Sequence, residues 1–181
     1  MIVYRNTDTD VPFFWEDDRQ PEGRWHGAGE GPAQYTATSP DAAWAEFLRH
    51  QGITDPTDLP GIDRAMWAIE ISDDEPAERP EVPDAVATGA LDSYPACQAA
   101  AQDGRAGGMT RLVAPSSAVL VDSPSGWETD NGLMPGFPRS EFTVVLFGRR
   151  PGVTAWQAAA AGRPAASLLA RVRYLAGAGI R

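Results

Sequence analysis

Between Gly23 and Gly52 the chain restricts its own local structure more tightly than anywhere else. Gly23, Gly27, Gly29 and Gly31, followed by Pro32, predict a turn that carries Arg24, Trp25 and His26. Gln34 to Ala37 then reads as a short strand that includes Tyr35. Ser39 is placed as an N-cap, Pro40 suits the first helical position and Asp41 puts an acid in the first turn. The helix so opened is expected to run to about His50, with Gly52 ending it. Trp44, Phe47 and Leu48 share one face of that helix, and Glu46 lies off it.

The remaining elements are read around this segment. Ile2 to Arg5 and Ala65 to Ile71 predict strands, the second from the alternation of Trp67, Ile69 and Ile71 against Met66, Ala68 and Glu70. Ser72 to Pro83 is acidic and proline-rich and reads as a flexible loop. Ser93 to Ala106 predicts a helix closed by Gly107-Gly108, and Met109 to Ala114 a strand that Ala118 to Val121 extends. Asp122 to Ser140 is expected to be a long polar loop, and Glu141 to Phe147 a strand. Beyond Pro151 the alanine runs predict two helices, around Ala155–Ala161 and Ala165–Ala176, with an apolar stripe of Leu168, Leu169, Val172 and Leu175 that needs a surface to cover. Strands mixed irregularly with few helices give the class α+β. No GxGxxG follows a predicted strand, and neither a Walker loop nor zinc-spaced Cys and His residues are present.

Composition narrows the function. The 181 residues suffice for one substantial domain, and 43% hydrophobic with 22% charged residues fits an ordinary globular protein. The net charge of −10 argues against direct nucleic-acid binding. All 15 cationic side chains are arginines, and Arg149, Arg150, Arg163, Arg171, Arg173 and Arg181 follow Phe147 with no acid among them. No apolar run is long enough to span a membrane, and Met1 to Arg5 does not read as a signal peptide. The single Cys97 reads as a buried thiol in a reducing compartment, hence a cytoplasmic setting.

Several residues have the chemistry of a site, and each has a plainer reading beside it. Arg24 suits phosphate oxygens through its planar fork, or stacks on Trp25 in solvent. Arg5 ends a strand and points either into a cleft or to solvent. Tyr35 offers a ring face to a base or nicotinamide, or packs at a strand edge. Glu46 could stabilise an oxocarbenium-like sugar, or pair with Arg49 and His50 on an exposed helix face. Ser116 and Ser117 could bind ribose or phosphate, or simply make a turn.

In that order, Tyr4-Arg5, Gly23-Arg24-Trp25, Tyr35, Ala45-Glu46 and Pro115-Ser116 resemble the RES domain family over about the first 148 residues. The resemblance implies a compact ADP-ribosyltransferase-like α+β fold with NAD as substrate in a cleft between small sheets. It implies a catalytic domain over 1–148, to which 149–181 add an arginine-rich, helical extension packed on it. Arg24 and Arg5 would hold the pyrophosphate or shape the cleft, Trp25 and His26 would belong to the binding turn, and Tyr35 would meet the nicotinamide end. Glu46 would act at the nicotinamide ribose, and Ser116, or equally Ser117, would complete the polar wall. His26 departs from the family's usual Asn; imidazole can donate one hydrogen bond as the amide does, but it can also titrate. The resemblance further implies an NAD-degrading toxin with water or phosphate as acceptor, no metal and a helix-turn-helix antitoxin as partner. A homo-oligomer is compatible with all of this. An ADP-ribosyltransferase with another acceptor, or a binding module without turnover, shares the same cleft.

Overall fold

The computed structural model describes residues 1–124 and 126–175. In chain order the elements are β1 (Ile2–Thr7), β2 (Ala33–Ala37), α1 (Pro40–Gln51), β3 (Arg64–Glu70), α2 (Asp84–Ala87), α3 (Tyr94–Ala106), β4 (Arg111–Pro115), β5 (Trp127–Thr129), β6 (Leu133–Pro135), β7 (Phe142–Phe147) and β8 (Ala155–Gly162). Short 3-10 turns cover Pro56–Gly61, Leu91–Ser93 and Ala166–Arg171. One antiparallel sheet has the order β4-β7-β2-β1-β3-β8, and β5 and β6 form a separate hairpin. The class is α+β, as the sequence predicts.

The sheet is two three-stranded halves joined at one point. β1 pairs with β3 from Ile2↔Glu70 to Thr7↔Ala65, and β2 pairs with β7 from Ala33↔Phe147 to Ala37↔Thr143. Between β1 and β2 the register holds a single pair, Tyr4↔Ala37. Beyond it side chains replace the backbone ladder. Arg5 Nη1 donates to Gln34 Oε1 at 2.7 Å, and Asn6 Nδ2 donates to the Ala43 carbonyl of α1 at 2.7 Å. The expected cleft between small sheets therefore takes the form of a splay between the halves of one sheet.

α1 lies against this splay, and its ends are built as its sequence indicates. Ser39 Oγ accepts from Ala42 N–H at 3.1 Å, and Gly52 takes the left-handed φ of 65° that closes the helix. Trp44 and Leu48 are buried, with Phe47 edge-on to Trp44. They share a core with Met66, Leu168 and Val172. A second core gathers Trp25, Cys97, Met109, Leu112 and Phe147, and a third packs Val3, Phe14, Ile69 and Leu146. Cys97 is buried as expected, and burial pushes its thiol pKa up.

Four expectations are corrected. Ala155–Gly162 is the edge strand β8, paired with β3, and Ala166–Arg171 is a 3-10 turn; neither is an α-helix. Alanine favours a helix, but so short a helix is marginal by itself, and the open edge of β3 offers backbone hydrogen bonds instead. Pro164 also prevents one helix from running through both alanine runs. Ala176 and Arg181 lie outside the described residues. The long polar loop contains the β5–β6 hairpin, turned through Asn131 at φ 52°. Ala118 to Val121 does not extend β4; Val119 makes only an isolated bridge to Val172. Ser72 to Pro83 is held at Glu78, whose backbone bonds to both Arg111 and Val113.

The C-terminal segment packs on the rest of the chain. Leu168 and Val172 are buried against α1. Arg149, Arg150 and Arg171 pair with Asp18, Glu75 and Asp41. Removing everything after Arg150 therefore uncovers the edge of β3 and deletes two buried aliphatic side chains, each worth about 2 kcal/mol. The truncated protein is expected to melt at least about 10 °C lower than the full chain. Equal melting temperatures and equal solubility would contradict this packing.

Candidate active site

The glycine-rich turn closes on itself and seats on Tyr35. Gly23 N–H donates to the His26 carbonyl at 2.9 Å. Tyr35 Oη rises from β2 to accept from Trp25 N–H at 2.8 Å and lies 3.0 Å from His26 Nδ1. Which of Oη and Nδ1 supplies the proton between them follows from the imidazole tautomer. Gly23 is required here by close approach. A Cβ would stand 2.7 Å from Tyr35 Oη and 3.1 Å from His26 Cε1. Burial pushes the Tyr35 phenol up and the His26 imidazole down, the latter against opposing effects of the Pro21 carbonyl and Glu30. Both groups are therefore neutral at neutral pH. His26 Nε2 is itself buried, and the Pro21 carbonyl acts on the same ring.

Arg24 follows neither the solvated nor the Trp25-stacked reading. It is buried, and its guanidinium lies 4.7 Å over the ring of Tyr94. Nη1 donates to Ser93 Oγ at 2.9 Å and Nη2 to the Gly89 carbonyl at 2.8 Å. The same carbonyl accepts from Arg49 Nη2 at 3.0 Å. Arg49, 2% exposed, also donates to the carbonyls of Ser117 and Arg173. Among the described residues neither guanidinium has a carboxylate partner. Arg49 feels the Glu46 carboxylate at longer range, while burial holds its pKa below the usual arginine value.

Glu46 and His50, one helical turn apart on α1, face the cleft together. Their Oε2 and Nε2 atoms stand 3.7 Å apart. Thr143 Oγ1 from β7 donates to Glu46 Oε1 at 3.4 Å. The carboxylate is thus half-buried and oriented; of the plainer pairing with Arg49 and His50, the His50 contact is present and an Arg49 ion pair is not, among the described residues. On one side of Glu46 lies a hollow of about 350 Å³, walled by Arg24, Trp25, His26, Tyr35, Tyr94 and Ser117. On the other lies a hollow of about 240 Å³ at the splay, walled by Tyr4, Arg5, Asn6, Phe47 and Arg64. The two share Tyr35, Glu46, His50 and Thr143.

The structure thus brings Arg24, Trp25, His26, Tyr35, Glu46 and Ser117 to one hollow and Arg5 to its neighbour. Ser116 stands apart. It lines a different hollow, and its Oγ accepts from Ala118 N–H at 3.2 Å. Sequence reasoning passed over Tyr94, Thr143, His50 as a cleft residue, and Arg49 as a buried anchor. His50 was accessible from its spacing to Glu46; the other three depend on contacts between distant segments. The assembled chemistry is a carboxylate beside a neutral Tyr–His pair, with guanidiniums on both sides. That arrangement suits an anionic ligand in which positive charge develops near Glu46. Among the described residues no group of three or more His, Cys, Asp or Glu side chains gathers as a metal site. Nor is any described helix long and apolar enough to cross a membrane.

Comparison with known proteins places this geometry. No curated protein matches the chain in sequence. Among solved structures, the crystal structure of the M. tuberculosis MbcT-MbcA toxin-antitoxin complex is similar, with a TM-score of 0.59 at 19% identity over 93% of this chain and 86% of that one. At that identity the likeness concerns the fold. The family model for the RES domain matches residues 3–164, which takes in both sheet halves, α1 and the cleft. With nearly the whole chain matched, the protein belongs to the RES domain family.

Proposed function

We propose that this chain cleaves the bond between nicotinamide and ribose in NAD, and that it serves as the toxin of a toxin–antitoxin pair. The observation that carries the reading is the placement of Glu46 at the junction of the two hollows, with the neutral Trp25–Tyr35–His26 chain on one side and Arg5 on the other. NAD needs this combination. Its nicotinamide is planar and leaves as a neutral base, its ribose becomes oxocarbenium-like, and its pyrophosphate is doubly anionic. Tyr35 and Tyr94 flank the nicotinamide end. His26 backs Tyr35 at that end through the 3.0 Å contact between Nδ1 and Oη. Glu46, held by Thr143, faces the ribose. Arg5 faces the pyrophosphate, Ser117 belongs to the polar wall, and Arg24 shapes the cleft through the Gly89 turn.

In the reaction the glycosidic C–N bond breaks with its electron pair going to the departing nicotinamide. The positive charge left on the ribose is stabilised by the Glu46 carboxylate. Water then forms the new C–O bond and releases a proton, giving ADP-ribose; phosphate in its place gives the phosphorylated sugar. An ADP-ribosyltransferase would share the first step and differ only in its acceptor. The toxin of the similar solved complex is bound to an antitoxin, which supports an antitoxin partner here, and a helix-turn-helix protein is the expected kind. The domain division at residue 148 and a cytoplasmic setting belong to the same reading.

Glu46→Gln is expected to leave melting behaviour near that of the parent chain and to slow nicotinamide release by about 100-fold or more. Release at the parent rate from a folded variant would remove Glu46 from the chemistry. Arg24→Lys keeps the charge but cannot span Ser93 and Gly89 together. It should lower stability by about 1–3 kcal/mol and raise KM for NAD, as measured by thermal melting and initial rates. Unchanged values of both would show that the guanidinium fork is dispensable.

A further inference from the structure

We propose that a third hollow, beside Trp15, is the seat of the adenine base, so that the dinucleotide lies across three consecutive hollows. The assignment rests on the NAD reading above. The hollow measures about 390 Å³ and is bounded by Val11, Pro12 and Trp15 on one side and by Arg5, Asn6 and Arg64 on the other. It shares Arg5, Asn6 and Arg64 with the splay hollow and no residue with the Tyr35–Tyr94 hollow. The three therefore form a series, joined first at Glu46 and then at the two arginines.

The series matches the ligand's order of chemistry. Sites for drug-sized ligands occupy roughly 300–1,000 Å³, so the first hollow alone is at the small end for a dinucleotide. The middle hollow supplies guanidiniums at the place where a pyrophosphate would follow the ribose. Arg5 has no carboxylate partner among the described residues, while Arg64 pairs with Asp8 and covers the Phe47 ring. Burial first, and the neighbouring Arg64 second, push the Arg5 pKa down to about 10. The outer hollow presents mostly apolar surface, with Thr7 and the Arg64 partner Asp8 also on its wall, and Trp15 stands in it 48% exposed, with Val11 43% exposed nearby. An exposed indole beside a phosphate-sized cationic site is a stacking platform for a base.

One buried side chain builds the two parts together. Gln34, fully buried, accepts from Arg5 Nη1 at 2.7 Å and from Trp15 N–H at 3.1 Å through the same Oε1, and its Nε2 donates to the Trp15 carbonyl. The backbone that carries the Trp15 indole and the Arg5 guanidinium are thus fixed to one amide in β2, next to Tyr35. Purine stacking here would discriminate NAD from its nicotinamide mononucleotide half, which lacks the adenylate.

The test compares the full chain with Trp15→Leu and Trp15→Phe, using NAD and nicotinamide mononucleotide as substrates and ADP-ribose as a calorimetric probe. Leu keeps bulk at an exposed position, and Phe keeps a ring. Trp15→Leu is expected to raise KM for NAD about ten-fold with kcat held within about two-fold, and Trp15→Phe to recover most of the loss. Kinetics on the mononucleotide should be the same for all three proteins. An unchanged KM for NAD, or an equal loss on both substrates, would overturn the adenine seat while leaving NAD cleavage standing. If the parent chain cleaves neither substrate, the NAD-cleaving reading fails. Calorimetry then still decides the subsite: ADP-ribose that binds the parent about ten-fold tighter than Trp15→Leu supports it, and equal or absent binding refutes it. Loss of binding to a protein partner instead of to ADP-ribose would make Trp15 a docking residue and refute the proposal.

Discussion

The carbonyl of Gly89 is clasped by two buried guanidiniums, and the rest of the cleft depends on that contact. Arg24 reaches it from the glycine turn and Arg49 from α1. Arg49 then bonds the Ser117 and Arg173 carbonyls, which ties the β4 exit and the C-terminal segment to the same point. Burying two cations without acids is costly, and here carbonyl dipoles and the Tyr94 ring offset the cost. Both cations belong to a chain whose net charge is −10.

The second constraint is the single backbone pair between the sheet halves. A sheet fully laddered from β2 to β1 would close the space that Arg5, Asn6 and Tyr35 now line. Side chains bridge the gap instead, Arg5 to Gln34 and Asn6 to α1, while Gln20 meets both backbone groups of Ala33 in β2. α1 then closes the front with Glu46 and His50, and the fold needs no inserted loop to place its carboxylate.

What was legible in the sequence was local. Ser39, Pro40 and Gly52 bound α1 because caps act within a turn of their own backbone. Glu141 to Phe147 announces β7 through its β-branched and aromatic residues. Gly23-Arg24-Trp25, Tyr35 and Glu46 could be recognised as a series, and all of them meet at one hollow. What was illegible depends on distant partners. Arg49 resembled a surface partner of Glu46 until its three carbonyls, from Gly89, Ser117 and Arg173, were in view. Thr143 resembled any strand threonine. The alanine run after Thr154 misled because the free edge of β3, not intrinsic propensity, decides its conformation. Choosing Ser117 over Ser116 required the local turn, which sends the Ser116 hydroxyl to its own backbone neighbour.

The central claim is that one dinucleotide lies with its scissile bond at Glu46, between the Tyr35 side and the Arg5 side. A crystal structure of the Glu46→Gln variant soaked with NAD tests it directly. Nicotinamide is expected beside Tyr35 and Tyr94, the adjoining ribose within hydrogen-bond reach of residue 46, and the pyrophosphate against Arg5. NAD bound elsewhere, such as in the hollow between Glu75 and Arg150, or with its pyrophosphate on the Ser116 side, would contradict it.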